Sequence, residues 1–205
     1  ILIHNVLQRF HEAELAGRDH GEDGLAELMA LLDEGWRRGG FGNSDDELQF
    51  LDRARDAMRA YWRSEESSES EPAFLERQFE FKVGPHFLRG RVDRVDRKPD
   101  GEFEVIDYKT GQRVDSSRHG GDIQLALYRL GAREAWGIEP EAGSYYYVLE
   151  GEKVEVDSSP DDRERVERTV LEVGEGVLGQ DFEPRPSPAV CGWCDFKLVC
   201  PAAEA

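Results

Sequence analysis

The sequence is poor in several things at once. No apolar run comes near the roughly 20 residues that a membrane-spanning helix needs, which argues against a helical membrane protein. The first residue is Ile, and no charged start, apolar stretch and small-residue cleavage site follow it, so no secretory leader is expected and the chain reads as a fragment of a larger protein. Basic residues are scarce: 26 Lys and Arg stand against 44 Asp and Glu, a formal charge of -18. Taken alone, that balance argues against a general nucleic-acid binder. Cysteine is rarer still. Only Cys191, Cys194 and Cys200 occur, and an odd set crowded into one terminus is a poor disulfide framework. A reducing, cytoplasmic setting with a metal or cluster is the expectation. No GxxxxGK[ST] loop occurs, so an ATPase would have to lie elsewhere.

What is there divides into three parts. Residues 1–63 carry helical periodicity in three segments, Ile1 to about Ala16, Glu22 to about Arg38, and Ser44 to about Arg63, the last opened by Ser44 as a candidate N-cap. The acidic run Ser64 to Glu71 cannot bury a core and is read as a loop. Period-two segments follow at Phe74–Val83, Phe87–Arg97 and Phe103–Lys109, divided by Gly84-Pro85 and Pro99-Asp100-Gly101. A helix from about Gly121 to Trp136, a strand pair near Ser144–Leu149 and Lys153–Val156, and a helix from about Pro160 to Gly179 complete the pattern before the cysteine tail. One domain is expected, with a helical part at 1–63, a core sheet and helix at 73–157, and a C-terminal helix and tail at 160–205. The fold class is α/β, in its α+β form, with a mixed central sheet flanked by helices.

The Pro99-Asp100-Gly101 loop suits a three-residue hairpin connection, which fixes the register of the strands it joins. If Lys98 pairs with Glu102, Asp93 falls opposite Asp107, at a Cβ separation of about 5 Å. Like charges so placed repel unless a cation lies between them. Lys109 follows Asp107 by two residues and shares its face. Solvated carboxylates paired with Arg91, Arg94 or Lys109 are the plainer alternative. Against it, Asp107 sits in the apolar run Val105-Ile106-Asp107-Tyr108-Lys109, where an acid is costly to bury unless paired or metal-bound. From Lys82 to His119, nine Lys and Arg outnumber seven Asp and Glu, so this stretch is suited to face phosphates.

Three strings, Gly90-Arg91-Val92-Asp93-Arg94-Val95-Asp96, then Val105-Ile106-Asp107-Tyr108-Lys109-Thr110-Gly111, then Gln124-Leu125-Ala126-Leu127-Tyr128, resemble in order and spacing the successive motifs of the RecB-like branch of the PD-(D/E)xK nucleases. The resemblance runs from His4 to Cys200. It implies a restriction-endonuclease-like core, Mg²⁺ or Mn²⁺ held by Asp93, Asp107 and the backbone carbonyl of Tyr108, and a water-orienting Lys109. It further implies His4 reaching the metal from the first helix and Glu76 as an additional acidic ligand, while His11 is read as structural. Gln124 and Tyr128, on one helical face, would position DNA or the metal site, and Arg91, Arg94, Arg113 and Arg118 would contact phosphates.

The tail Cys191-x2-Cys194-x5-Cys200-Pro201 resembles the iron–sulfur element of helicase-associated and CRISPR-adaptation nucleases. A [4Fe–4S] cluster takes four thiolates, so the fourth cysteine would lie outside this chain; no cluster, a three-ligand remnant or zinc are the other outcomes. The activity implied is metal-dependent DNA cleavage of exonuclease type, in double-strand-break repair and recombination, with an ATP-dependent helicase domain or subunit as partner. A CRISPR-adaptation nuclease and a catalytically silent DNA-binding module are the alternatives.

Overall fold

The computed structural model describes residues 2–37, 44–111 and 123–203. Three helices open the chain: α1 (Leu2–Leu15), α2 (Gly24–Gly35) and α3 (Ser44–Glu66). A hairpin of long strands follows, β1 (Glu71–Val83) and β2 (His86–Arg97), then β3 (Phe103–Lys109), α4 (Ile123–Trp136), β4 (Pro140–Tyr147), β5 (Glu152–Val156), α5 (Asp162–Leu178) and a short α6 (Pro188–Trp193). The five strands lie side by side in chain order, with β3 and β4 parallel and every other pair antiparallel. This is the mixed, helix-flanked sheet that the order of periodicities implies.

The sheet separates two apolar cores. On one side Ile106, Tyr108 and Tyr146 pack beneath Phe10, Leu28, Leu32, Met58 and Tyr61 of α1 to α3. On the other, Val92, Val95, Val105, Tyr145 and Tyr147 pack against Leu125, Ala126 and Leu130 of α4 and Val166 of α5. Alternation along β3 therefore sends Ile106 and Tyr108 toward the helical part and Val105 toward α4. In the hairpin, Phe79 stands opposite Gly90. A Cβ on Gly90 would lie 2.3 Å from that ring, and one on Gly131 of α4 would lie 2.7 Å from it. The two glycines are thus the slot that lets a Phe lie between sheet and helix, an aromatic covering a strand glycine.

Three features depart from expectation. The acidic run at 64–71 is mostly regular: α3 continues to Glu66 and β1 starts at Glu71, leaving residues 67–70 as the link. Composition is overridden by tertiary pairing, since Glu65 reaches the buried Arg94 at 2.9 Å. The strand β4 starts at Pro140, four residues before the expected Ser144, and α6 was not expected at all. The expected start of α4 at Gly121 lies outside the described residues.

Candidate active site

The β2–β3 register is that of the short-loop hairpin: Arg97 pairs with Phe103, Asp96 with Glu104, Val95 with Val105 and Arg94 with Ile106. The ladder stops there, one row short of Asp93 and Asp107. Asp93 Oδ2 accepts from the Tyr108 amide at 2.9 Å, so a side chain takes over where backbone pairing ends. Across β1 and β2, Glu76 and Asp93 form the row between the pairs Leu75–Arg94 and Arg77–Val92. Asp107 in turn pairs with Tyr145 of β4. Glu76 and Asp93 thus share one row, Asp107 and Tyr145 share another, and the bond from the Tyr108 amide to Asp93 joins the two.

The alternation of faces slips at the Glu76–Asp93 row. Val92 and Val95, three apart, both pack on the α4 side, and Glu76 takes a left-handed backbone with φ +47°. Without a glycine, such a conformation persists only where surrounding structure imposes it, commonly at functional sites.

Asp107 is nearly enclosed. Its Oδ1 accepts from Gln124 Nε2 at 2.8 Å, and its Oδ2 lies 2.7 Å from Lys109 Nζ. Burial pushes its carboxyl above the usual range, against the opposing pull of Lys109. Gln124 is the hinge of the group: its Oε1 accepts from Lys109 Nζ at 2.9 Å, and its Nε2 also donates to the Tyr128 hydroxyl at 2.9 Å. Burial pushes the Tyr128 phenol up to about 12. His4, on α1, places Nε2 at 3.0 Å from the Tyr108 carbonyl and 3.5 Å from Asp93 Oδ2. Two acceptors make that nitrogen the donor, and its hydrogen bond to Asp93 raises the imidazole above its ordinary value. Glu76 is pushed up by burial first and Asp93 second, and its Oε2 lies 2.8 Å from Arg91 Nε.

Among the described residues no three His, Cys, Asp or Glu side chains already form a metal-binding group. The donor chemistry nevertheless suits a hard cation. Asp107 Oδ2 and Glu76 Oε2 are buried, and neither makes a hydrogen bond among the described residues. Lys109 and Arg91 pair with these oxygens in charge, at 2.7 and 2.8 Å, and a carboxylate oxygen has a second lone pair beside the one that faces its cation. Carboxylate and carbonyl oxygens are the ligands that Mg²⁺ and Mn²⁺ take.

Several expectations need correcting. Arg94 cannot contact phosphate: its side chain is 2% exposed and forms a charge pair with Asp96 beneath the sheet. The guanidinium faces the helical part because the slip in alternation turns it there. Arg91 is exposed and stands beside Glu76. His11 is buried, 2.5 Å from the Tyr61 hydroxyl, in the structural place expected of it. Arg113 and Arg118 lie outside the described residues. Cys191 is buried in α6 and Cys194 exposed, and the three cysteines do not converge as a ligand group.

Tyr145 escaped the sequence reading. Its ring lies 4.7 Å from Lys109 Nζ, an arrangement in which the aromatic face attracts the ammonium. No local signal marks it, because its place beside Lys109 follows from the parallel register of β3 and β4.

The chain matches the PD-(D/E)XK nuclease superfamily over residues 1–201 and belongs to it. It is similar to the Gene 69 protein of Mycobacterium phage D29, 34% identical over 133 residues that make up 62% of this chain and 47% of that protein. The Gene 69 protein of Mycobacterium phage L5 is 32% identical over 142 residues, 66% of this chain and 47% of that protein. The chain spans about half the length of these curated relatives. Among solved structures, a candidate exonuclease from Eubacterium rectale shares the fold at 15% identity and a TM-score of 0.50, over 94% of this chain and 81% of that one. No described helix is long and apolar enough to cross a membrane.

Proposed function

We propose that this nuclease domain cleaves DNA with a divalent metal, Mg²⁺ or Mn²⁺, held by Asp93, Asp107 and the Tyr108 carbonyl, with Glu76 and His4 at its margin. The observation that carries this reading is three acids on adjacent strands, Glu76, Asp93 and Asp107, with Asp93 close enough to disfavour the charge of both others, beside Lys109. The ion supplies positive charge against the charge that gathers on phosphoryl oxygens in the transition state. Lys109, steadied by Asp107, Gln124 and the Tyr145 ring, orients the attacking water by donating to its oxygen. As the water oxygen bonds to phosphorus it gives up a proton to surrounding water, the bond to the leaving sugar oxygen breaks, and that oxygen takes up a proton from the solvent. Gln124 holds Lys109 and Asp107 at once, so it keeps the water-orienting group in step with the metal-holding one. Arg91, exposed beside the acids, steers the phosphate backbone.

The finer reading is an exonuclease acting with an ATP-dependent helicase in double-strand-break processing. The resemblance to the RecB-like branch supports it, as does a net charge of -18, which favours delivery of DNA by a partner. In this reading Cys191, Cys194 and Cys200, which do not converge in the structure, are drawn together by a [4Fe–4S] cluster that takes a fourth thiolate from elsewhere. Their support is spacing alone, and a longer protein purified anaerobically should carry iron and the visible absorbance of such a cluster; iron-free protein removes it.

The main test is Mn²⁺ binding by calorimetry for wild type and Asp107→Asn, with each sample run on end-labelled DNA. Loss of binding and cleavage together in the variant is the expected result. Wild-type behaviour in the variant refutes the assignment, and a wild type that binds no metal points to a silent module.

A further inference from the structure

Arg94 sits immediately after Asp93 in β2, and Tyr108 immediately after Asp107 in β3, so each acid has a neighbour directed to the opposite, helical side of the sheet. There the two neighbours meet. Arg94 Nη1 lies 2.8 Å from the Tyr61 hydroxyl and 2.8 Å from His11 Nε2, 2.9 Å from Glu65 Oε2 and 3.4 Å from the Tyr108 hydroxyl. The Tyr61 and Tyr108 hydroxyls are 2.8 Å apart. Asp96 takes the other edge of the guanidinium, with Oδ2 at 2.8 Å from Nη2. The cluster is shut off from water: Arg94, His11, Tyr61 and Tyr108 are all buried. In such surroundings charge-assisted hydrogen bonds strengthen and side chains lose their alternatives.

Tyr108 is held at three points. Its phenol is in this cluster, its amide donates to Asp93 at 2.9 Å, and its carbonyl accepts from His4 at 3.0 Å. Fixing the ring from behind therefore fixes two backbone groups in front.

We propose that Arg94, Tyr61 and the Tyr108 phenol are positioning residues, a buried clamp through which α3 and α1 set the spacing of Asp93, Asp107 and the Tyr108 carbonyl. The inference rests on the reading of those groups as the metal site. It gives the helical part a task in the reaction that packing alone does not require.

Arg94→Ala is a poor test, since it strands Asp96 as a buried unpaired charge, leaves the half-buried Glu65 without its main partner and endangers the fold. Tyr108→Phe removes one oxygen and keeps the ring. It should retain native circular dichroism while its Mn²⁺ affinity, read by calorimetry, falls about ten-fold or more, the cost usual for groups that orient metal ligands. Its kcat should fall by a similar factor with KM for a DNA oligonucleotide unchanged. Tyr61→Phe, which removes the hydroxyl linking Arg94 to Tyr108, should do the same, and the double variant should lose less than the product of the two effects. If Tyr108→Phe fails to fold, Tyr61→Phe bears the same expectations. Folded Tyr108→Phe or Tyr61→Phe with wild-type Mn²⁺ affinity and kcat overturns the inference, as does a rise in KM alone. Asp107→Asn separates the two levels. If it abolishes Mn²⁺ binding while both phenylalanine variants bind as wild type, only the clamp fails; if it binds as wild type, the site reading fails too.

Discussion

Replacing Glu76 by Asn should make the metal-free protein more stable and the enzyme worse. Glu76 has φ +47°, in the left-handed region that costs a residue bearing a Cβ about 1–2 kcal/mol. Asn tolerates that region well, whereas Gln keeps both the length of Glu and its backbone preferences. The Asn and Gln variants are equally neutral, so their difference isolates the backbone cost. It should be about 1 kcal/mol in favour of Asn, a Tm gain of roughly 2–4 °C for a domain of this size. Glu76→Gly relieves the same cost but loses about 0.5–1 kcal/mol to the freedom of glycine in the unfolded chain, so it should fall between them. All three remove a carboxylate whose charged form is disfavoured by burial and by Asp93. The exposed Arg91 left behind returns to water at little cost. Urea and thermal unfolding at pH 7 with a chelator give the stability order, and Mn²⁺-dependent cleavage of end-labelled DNA gives the activity. A variant order of Asn above Gly above Gln, with reduced turnover in all three, is the expected result, stability being gained where function has been lost. Asn no more stable than Gln would refute the strain argument, and full turnover in all three would refute its link to function.

Other outcomes follow from the same geometry. Burial raises the Asp107 carboxyl, so its contribution to stability is fully present below the ordinary carboxylate range and is lost as pH rises through the raised value; the chelated wild type should lose this stability toward neutral pH while Asp107→Asn keeps it, as Tm against pH will read. Gly90→Ala would bring a Cβ to 2.3 Å from the Phe79 ring and should cost about 1–3 kcal/mol in urea unfolding, as overpacked cores do, with partial recovery in Gly90→Ala/Phe79→Leu. Tyr145→Phe should keep turnover near wild type because the aromatic face over Lys109 remains, whereas Tyr145→Leu should reduce kcat about three-fold or more, in line with a cation–π contact of about 0.5–1 kcal/mol; equal turnover in the two variants would remove Tyr145 from the site.

Local sequence determined a good deal of this protein. Proline and glycine at 99–101 dictated a short loop, and the loop dictated the β2–β3 register as far as the Arg94–Ile106 pair, one row short of Asp93 and Asp107, through the period of two that any strand obeys. The Gln124–Tyr128 spacing likewise guaranteed one helical face. Arg94 shows where such reasoning stops. Alternation places it only within its own strand, and its burial depends on a slip in facing at the Glu76–Asp93 row that no residue pattern announces. Composition alone makes Glu65 a solvated loop residue, yet it is, with Asp96, a counter-charge of that arginine, because a buried guanidinium also recruits acids that are near in space and distant in sequence. Tyr145 joined Lys109 only when α4 had carried the chain across to pair β4 in parallel with β3. Periodicity and turn chemistry act over a few residues, so they delivered strands, helices and one hairpin; the contacts that bring Tyr145 to the lysine, His4 to the carbonyl, and Tyr61 and Glu65 to the buried arginine join residues tens of positions apart, and only packing decided them.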